Sequence, residues 1–284
     1  MSFAPCPTVG RHAWILQAAN VARRERMDAQ QAVAEITSRL NRRPTPRNEV
    51  AHAVQKVFSE SWRGGTSSPG IRVQPIDQTP KWPAVAKVKP YDEHAVGVAD
   101  LWERSPVRFD DELPHSQEIL ETLFSTDDLI CAGRSTYEFT TQQLWCFDDL
   151  SQWQFIVPSP MSAEVGTTQD GIQSAHCLDN TGPRRFAVIE CDEGTADEQA
   201  ALLLHLSRKL PLALVVLSGG KSVHGWYFVV GIPEPVIHKF FRYAVSLGAD
   251  RATHTRSQFV RMPDGLRDNG KRQSVVYFNP ETTR

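Results

Sequence analysis

Residues 186–192 read FAVIECD, an apolar run that ends in two acidic residues. Its length and composition predict a buried β-strand. Because side chains alternate between the two faces of a strand, Glu190 and Asp192 share one face near the strand's end. Two such carboxylates repel each other unless a cation lies between them, and Mg²⁺ prefers one or two protein carboxylates together with phosphate oxygens. The pair predicts a metal site, although so short a pattern in isolation is more often a solvated strand end.

A glycine turn followed by a polar face comes next, at residues 218–226, which read SGGKSVHGW. Its two adjacent glycines would let a ligand approach the backbone closely. The alternation that follows predicts a strand with Ser222 and His224 on one face. Lys221, Ser222 and His224 beside such a turn suit a triphosphate, although a lone histidine in a strand is more often a core residue.

A third acidic residue, Asp250, follows the sequence LGA at the predicted junction of a helix and a strand, where it could complete a set of three carboxylates. Cationic residues come after it, and they can bind the phosphates of a nucleotide or of a nucleic acid. On its own, such a stretch is more often a structural basic hairpin. The cationic residues are Arg256, Arg261, Arg267, Lys271 and Arg272.

The surrounding elements predict an α+β fold. Thr195 and Glu198 form a capping-box pattern that starts one helix, and a second helix follows Pro233 and ends near Gly248. Further strands are predicted at residues 212–217, 223–230, 258–262 and 273–278. This order of elements indicates a mixed sheet that is covered on one face.

The chain before these motifs predicts a separate helical region. Apolar residues recur at close to the helical period across residues 11–60, with Asp28 capping the second helix and Thr45-Pro46 starting the third. A segment rich in Gly, Ser, Thr and Pro follows. We therefore expect a helical accessory domain at 1–62, a linker or wrapping segment at 63–91, and a catalytic-type domain at 92–284.

Composition indicates an ordinary globular protein, with 40% hydrophobic residues and a net charge of −2. Eight arginines lie between residues 11 and 47, so local basic patches are compatible with the near-neutral total. Five cysteines without a CxxC spacing argue against a disulfide framework. The start of the chain lacks a signal-peptide pattern, and no apolar run is long enough for a membrane span. These features predict a cytoplasmic protein without a membrane partner.

Taken in order, VIECD, SGGKSVHGW and GADRATHTRSQFVRMP resemble the three motifs of the archaeo-eukaryotic primase superfamily. That family carries a strand motif hhhDhD, a small-residue-x-His motif, and a hydrophobic-Asp motif with arginines beyond it. The likeness covers roughly residues 155–280, and the segment FIVPSPMSAEVGTT resembles the lead-in of bacterial and phage or plasmid members. Glu190 departs from the family, which usually has Asp at that position.

The resemblance implies a primase-type catalytic core with an RRM-like mixed or antiparallel sheet, preceded by a small helical domain. The implied activity is template-directed nucleotidyl transfer to a 3′-hydroxyl, as in a DNA primase or DNA polymerase. Two Mg²⁺ or Mn²⁺ ions would be held by the metal ligands Glu190, Asp192 and Asp250, with His224 as a further catalytic residue. An NTP or dNTP would be bound by Lys221, Ser222, His224 and Arg261, with Arg256, Arg267 and Lys271 as weaker candidates.

The implied partner is single-stranded or primed DNA, and a helicase or another replication protein acting in trans is a further candidate. Two other functions stay compatible with the residues. The first is non-catalytic nucleic-acid binding on a primase-like scaffold, which would not need three clustered acids. The second is a metal-dependent nuclease, although the glycine, hydroxyl and histidine pattern favours a triphosphate over a scissile duplex.

Overall fold

The computed structural model divides the chain into two compact units, Met1–Gln78 and Thr79–Arg284. The division falls inside the segment 63–91 that the sequence predicts as a linker or wrapping segment. The structure describes residues 15, 18–19, 21–23, 26–40, 49–58, 82–110 and 112–283. Among these residues, no helix is both long enough and apolar enough to cross a membrane.

The first unit contains α1 (Ala29–Ser38) and α2 (Glu49–Phe58). Asp28 caps α1, because its side chain accepts a hydrogen bond from the Gln31 N–H at 2.8 Å. The two helices share one apolar core, which includes Ala32, Ile36, Val50 and Val54. The cap that the sequence predicts at Asp28 is therefore confirmed. The predicted helix start at Thr45-Pro46 lies outside the described residues, as do Arg11, Arg24, Arg42, Arg43 and Arg47.

The second unit is an assembly of helices and antiparallel sheets, which confirms the α+β class. Its helices are α3 (Val98–Arg104), α4 (Ser116–Leu123), α5 (Ala196–Leu206) and α6 (Glu234–Ser246). Its strands are β1 (Leu129–Gly133), β2 (Phe139–Gln143), β3 (Phe155–Ile156), β4 (Gly166–Thr167), β5 (Gln173–Ser174), β6 (Phe186–Cys191), β7 (Leu212–Leu217), β8 (Val223–Phe228), β9 (Val260–Arg261) and β10 (Val275–Phe278).

The central sheet has the strand order β10-β7-β8-β6, and every neighbouring pair is antiparallel. Along the chain, β6, α5, β7, β8 and α6 follow one another, with α5 starting on the predicted capping box of Thr195 and Glu198. A second sheet has the order β2-β1-β3-β9. The strand predicted at residues 258–262 is only β9, because its pairing with β3 is limited to two residues on each side.

Both faces of the central sheet are covered, so the expectation of a single covered face is wrong. On one face, Ala187 and Ile189 pack with α5 and α6 in one apolar cluster. On the other face, Phe186, Val188 and Trp226 pack with α4 and with the second sheet. The physical reason lies in β6 itself, whose first four residues are all apolar. A strand that is apolar on both faces needs a layer on each side.

Candidate functional site

The candidate site begins with a cross-strand pair, because the register of β6 and β8 places Glu190 directly opposite His224. The His224 Nε2 lies 3.4 Å from Glu190 Oε1. His224 is 1% exposed, and neither of its ring nitrogens has a hydrogen-bond partner among the described residues. Burial, with a smaller effect from the charge of Arg261, lowers the pKa of His224 to about 3. The imidazole is therefore neutral at physiological pH.

The surroundings of Glu190 destabilise the charged form of its carboxyl group. Burial, followed by the negative charges of Asp192 and Asp250, raises the pKa of Glu190 to about 7, and Arg261 acts in the opposite direction. The three predicted carboxylates therefore lie close enough to act on one another electrostatically. A cation beside them would stabilise the charged form of each.

Asp192 connects the first motif to the second. It follows directly after β6, and its Oδ1 accepts a hydrogen bond from the Ser222 hydroxyl. Ser222 is held in turn by Ser218, whose side chain accepts the Ser222 N–H at 3.2 Å and whose N–H donates to the Ser222 carbonyl at 2.9 Å. Two motifs separated by thirty positions in the sequence thus share one hydrogen-bonded cluster.

Asp250 lies against the edge of the same strand. Its N–H donates to the Glu190 carbonyl at 2.8 Å, and its Oδ1 accepts the Ala252 N–H at 2.7 Å. Thr253 extends the contact, because its hydroxyl donates to the Val188 carbonyl at 2.6 Å. The third motif therefore occupies the free edge of β6, where it continues the hydrogen bonding of the sheet.

Another part of the chain packs closely against the glycine turn. Gly219 has a φ of +68°, and a Cβ there would lie 2.9 Å from the Arg272 carbonyl oxygen. The side chain of Arg267 also packs on the turn and donates from Nη1 to the Ser218 carbonyl at 3.1 Å. The hairpin at residues 267–272 thus approaches the turn, and its contact with Gly219 together with the positive φ there favours glycine at that position.

Arg261 is a cationic residue whose charge acts on Glu190. It comes from β9 in the second sheet, and its guanidinium lies 4.7 Å from the centre of the Phe155 ring. Burial and the charge of Arg267 lower its pKa, whereas Glu190 and Asp192 raise it. The second sheet therefore supplies a positive charge to an acidic site on the first.

The other predicted cations divide into two groups. Arg267 and Lys271 lie at the glycine turn, because a Cβ on Gly219 would meet both side chains. Arg256 instead donates to the Leu178 carbonyl at 3.3 Å, and Arg272 forms an ion pair with Asp264 at 2.6 Å. Arg272 therefore stabilises the hairpin through its ion pair with Asp264.

Gln199 on α5 is a residue that the sequence analysis missed. Its side-chain N–H donates to the Lys221 carbonyl at 3.0 Å, and its Oε1 accepts the Val223 N–H at 2.8 Å. Lys221 itself is exposed. The signal in the sequence was a single amide on a helix face that is otherwise built from alanine and leucine, because a buried amide needs partners for both of its groups.

The side chains do not by themselves form a closed metal cage. Among the residues that the structure describes, no group of three or more His, Cys, Asp and Glu side chains is assembled to hold a metal ion. Mg²⁺ sites that handle phosphates commonly use one or two protein carboxylates, with water and phosphate oxygens as the other ligands. The oxygen donors present fit that kind of open site.

Electrostatics, hydrogen bonding and register thus gather Glu190, Asp192, Asp250, Ser222 and His224 at one end of β6. Arg261 joins them from the second sheet. Comparisons of the chain with protein-family models, with curated proteins and with solved structures found no match.

Proposed function

We propose that the second unit is a template-directed nucleotidyltransferase of the primase-polymerase type, which adds nucleotides to a 3′-hydroxyl. The observation that carries the proposal is the meeting of three distant motifs at one strand end. Glu190 faces His224, Asp192 accepts the Ser222 hydroxyl, and Asp250 bonds to the Glu190 main chain. The finer description of the fold, a primase-type core with an RRM-like sheet, belongs to the same proposal.

The ligands of the proposed Mg²⁺ or Mn²⁺ ions are Glu190, Asp192 and Asp250. Their fit is supported by the raised pKa of Glu190, part of which comes from the charges of the other two acids. When bound, two such ions would lower the pKa of the attacking hydroxyl and stabilise the leaving pyrophosphate. The repulsion that these carboxylates have for one another becomes useful when a divalent cation lies among them.

The proposed triphosphate site uses the second motif and the second sheet. Lys221 is exposed at the turn, and Arg261 brings a positive charge close to the carboxylates. His224 is neutral, so it contributes a hydrogen-bond donor rather than a charge. Both of its ring nitrogens are buried, so its part in the site is to orient the Glu190 carboxylate beside it. Arg267 and Lys271, at the glycine turn, are placed to meet phosphates further from the acids.

One assay tests the proposal against its two rivals. The purified chain is given labelled nucleotides with primed or unprimed single-stranded DNA, and with Mg²⁺ or Mn²⁺. We expect nucleotide incorporation, which Asp192→Asn abolishes. The asparagine keeps the oxygen that accepts the Ser222 hydroxyl, so the local fold is preserved while the charge is lost.

Glu193→Gln is the matched control, because Glu193 is an exposed acid next to Asp192. It should retain full incorporation. Cleavage of the DNA in place of extension would favour a metal-dependent nuclease, and a gel shift without either product would favour non-catalytic binding. Either outcome overturns the proposal, as would equal activity in Asp192→Asn and Glu193→Gln.

A further inference from the structure

A cavity of about 480 Å³ lies on the helical side of the second unit, among the segment at residues 91–96, α3 and the C-terminal half of α5. None of the residues gathered at the end of β6 lines it. The residues that the argument uses are Tyr91, Val96, Arg104, Leu204, His205 and Arg208. Its volume lies in the range of about 300–1,000 Å³ that is usual for small-molecule sites.

Two arginines line this cavity. Arg104 on α3 and Arg208 just after α5 are both exposed, and neither guanidinium has an ion-pair or hydrogen-bond partner among the described residues. Arg208, together with Lys209, contributes after burial to a lowered pKa of His205. One acid, Asp92, also lines the cavity, and its Oδ1 accepts the His94 N–H at 2.9 Å. The cationic groups therefore outnumber the acid.

Two residues that line the cavity, Tyr91 and His205, also carry buried polar atoms without partners. The rings of Tyr91 and His205 stack with their centres 4.9 Å apart, and the His205 Nε2 lies 2.7 Å from the Tyr243 hydroxyl. The Tyr91 hydroxyl and the His205 Nδ1 are buried and have no hydrogen-bond partner among the described residues. Buried polar atoms are nearly always paired, since leaving one unpaired destabilises the protein.

We propose that this cavity binds a phosphorylated small molecule. The guanidinium groups of Arg104 and Arg208 belong to residues that line this one cavity, and arginine binds phosphate oxygens through pairs of hydrogen bonds. The apolar side chains of Val96 and Leu204 would contact the remainder of the molecule. This site is separate from the proposed catalytic site, and the proposal does not depend on that function.

Isothermal titration calorimetry of the full chain tests the proposal, with inorganic phosphate and AMP as probes. EDTA in the buffer removes divalent ions, so that binding at the carboxylate cluster is suppressed. We expect AMP to bind more tightly than inorganic phosphate because of the apolar wall. Arg104→Ala and Arg208→Ala should each weaken AMP binding about tenfold or more, as expected when a charge-assisted hydrogen bond is lost.

Lys239→Ala is the charge-matched control, because Lys239 is exposed on α6 and does not line the cavity. It should leave AMP binding unchanged. Ala95→Trp fills the cavity without changing any charge and should also weaken binding. The proposal is overturned if neither probe binds, or if AMP binds Arg208→Ala and Lys239→Ala equally well. It is also overturned if Lys221→Ala alone removes binding, since that would place AMP at the glycine turn.

Discussion

The first four residues of β6 are apolar, so both faces of the strand begin alike. The two faces differ in the residues that follow. On the helix-covered face, Ala187 and Ile189 are followed by Cys191, which is still buried at 2% exposure. On the face that the second sheet covers, Val188 is followed by Glu190 and then by Asp192. Burial raises the pKa of the Cys191 thiol, so that side chain stays a neutral part of the core. One strand thus presents core packing on one side and acidic side chains on the other.

The comparison shows how a strand end can carry acidic side chains while the core still holds its backbone. Glu190 is close enough to the core for burial to shift its pKa, and its side chain still keeps 23% of its exposure. The buried layers on both sides hold the backbone, so the acids need not contribute to stability. We therefore expect substitutions on the two faces to separate activity from stability.

The largest effect is expected on the acidic face, from Asp250→Asn. The asparagine Oδ1 can still accept the Ala252 N–H, so the free energy of unfolding should change little. Nucleotide incorporation should fall about a thousandfold or more, as when an essential catalytic group is removed. Asp268→Asn, an exposed acid in the hairpin at residues 267–272, is the control and should keep its activity. A fully active Asp250→Asn would remove this residue from the proposed metal ligands.

On the helix-covered face, Leu203→Ala should have the opposite effect, because it should lower stability and leave activity nearly unchanged. Leu203 is fully buried, and its side chain packs so closely on Gly225 that a Cβ there would lie 2.8 Å away. Removing it should lower the free energy of unfolding by about 3 kcal/mol, measured by urea denaturation. The activity per folded molecule should stay near that of the wild type at low temperature. A loss of activity without a loss of stability would show that the two faces are not independent.

A third prediction concerns pH and Glu190. The folded pKa of about 7 is higher than the usual value of 4.5, so the folded state binds the proton more tightly than the unfolded state. Its contribution to stability is therefore complete below about pH 4.5 and is lost as the pH rises towards 7 and above. Glu190→Gln should be more stable than the wild type at pH 8, by on the order of 2 kcal/mol, and similar to it at pH 4.5.

Thermal unfolding at both pH values, with and without Mg²⁺, measures this difference. Mg²⁺ should raise the Tm of the wild type at pH 8 more than that of Glu190→Gln, because the ion relieves a repulsion that the variant lacks. Equal pH dependence in the two proteins would mean that the surroundings of Glu190 do not destabilise its charged form.

Local signals in the sequence were enough for much of this fold. Three of these signals each span only a few residues. They are the apolar run of β6, the capping box at Thr195, and the polar face at Ser222 and His224. The alternation of a strand predicts that Glu190 and Asp192 share one face, and the register with β8 sets Glu190 opposite His224. These predictions depend on periodicity, which single sequences carry well.

The second sheet could not be predicted in the same way. Its strands β3 and β9 are two residues each, and they pair Phe155 with Arg261 across more than a hundred positions. Neither strand is long enough to show a period, and the pairing is stabilised by the packed core. The covered second face and the contact between the glycine turn and the hairpin at residues 267–272 depend on the same long-range packing.

The smallest effect is expected at Gln199. This residue of α5 hydrogen-bonds to the main chain of Lys221 and Val223. From the helix-covered side, it holds the turn that carries Lys221 and the start of β8. Gln199→Leu fills a similar space without the hydrogen bonds, and we expect a loss of about 1 kcal/mol of stability. If the amide positions Lys221 for a triphosphate, KM for the nucleotide should rise severalfold while kcat stays nearly constant. Gln199→Glu keeps the acceptor for Val223 but sets a carboxylate oxygen against the Gly194 and Lys221 carbonyls, so it should recover neither stability nor KM. An unchanged KM in both variants would limit Gln199 to packing.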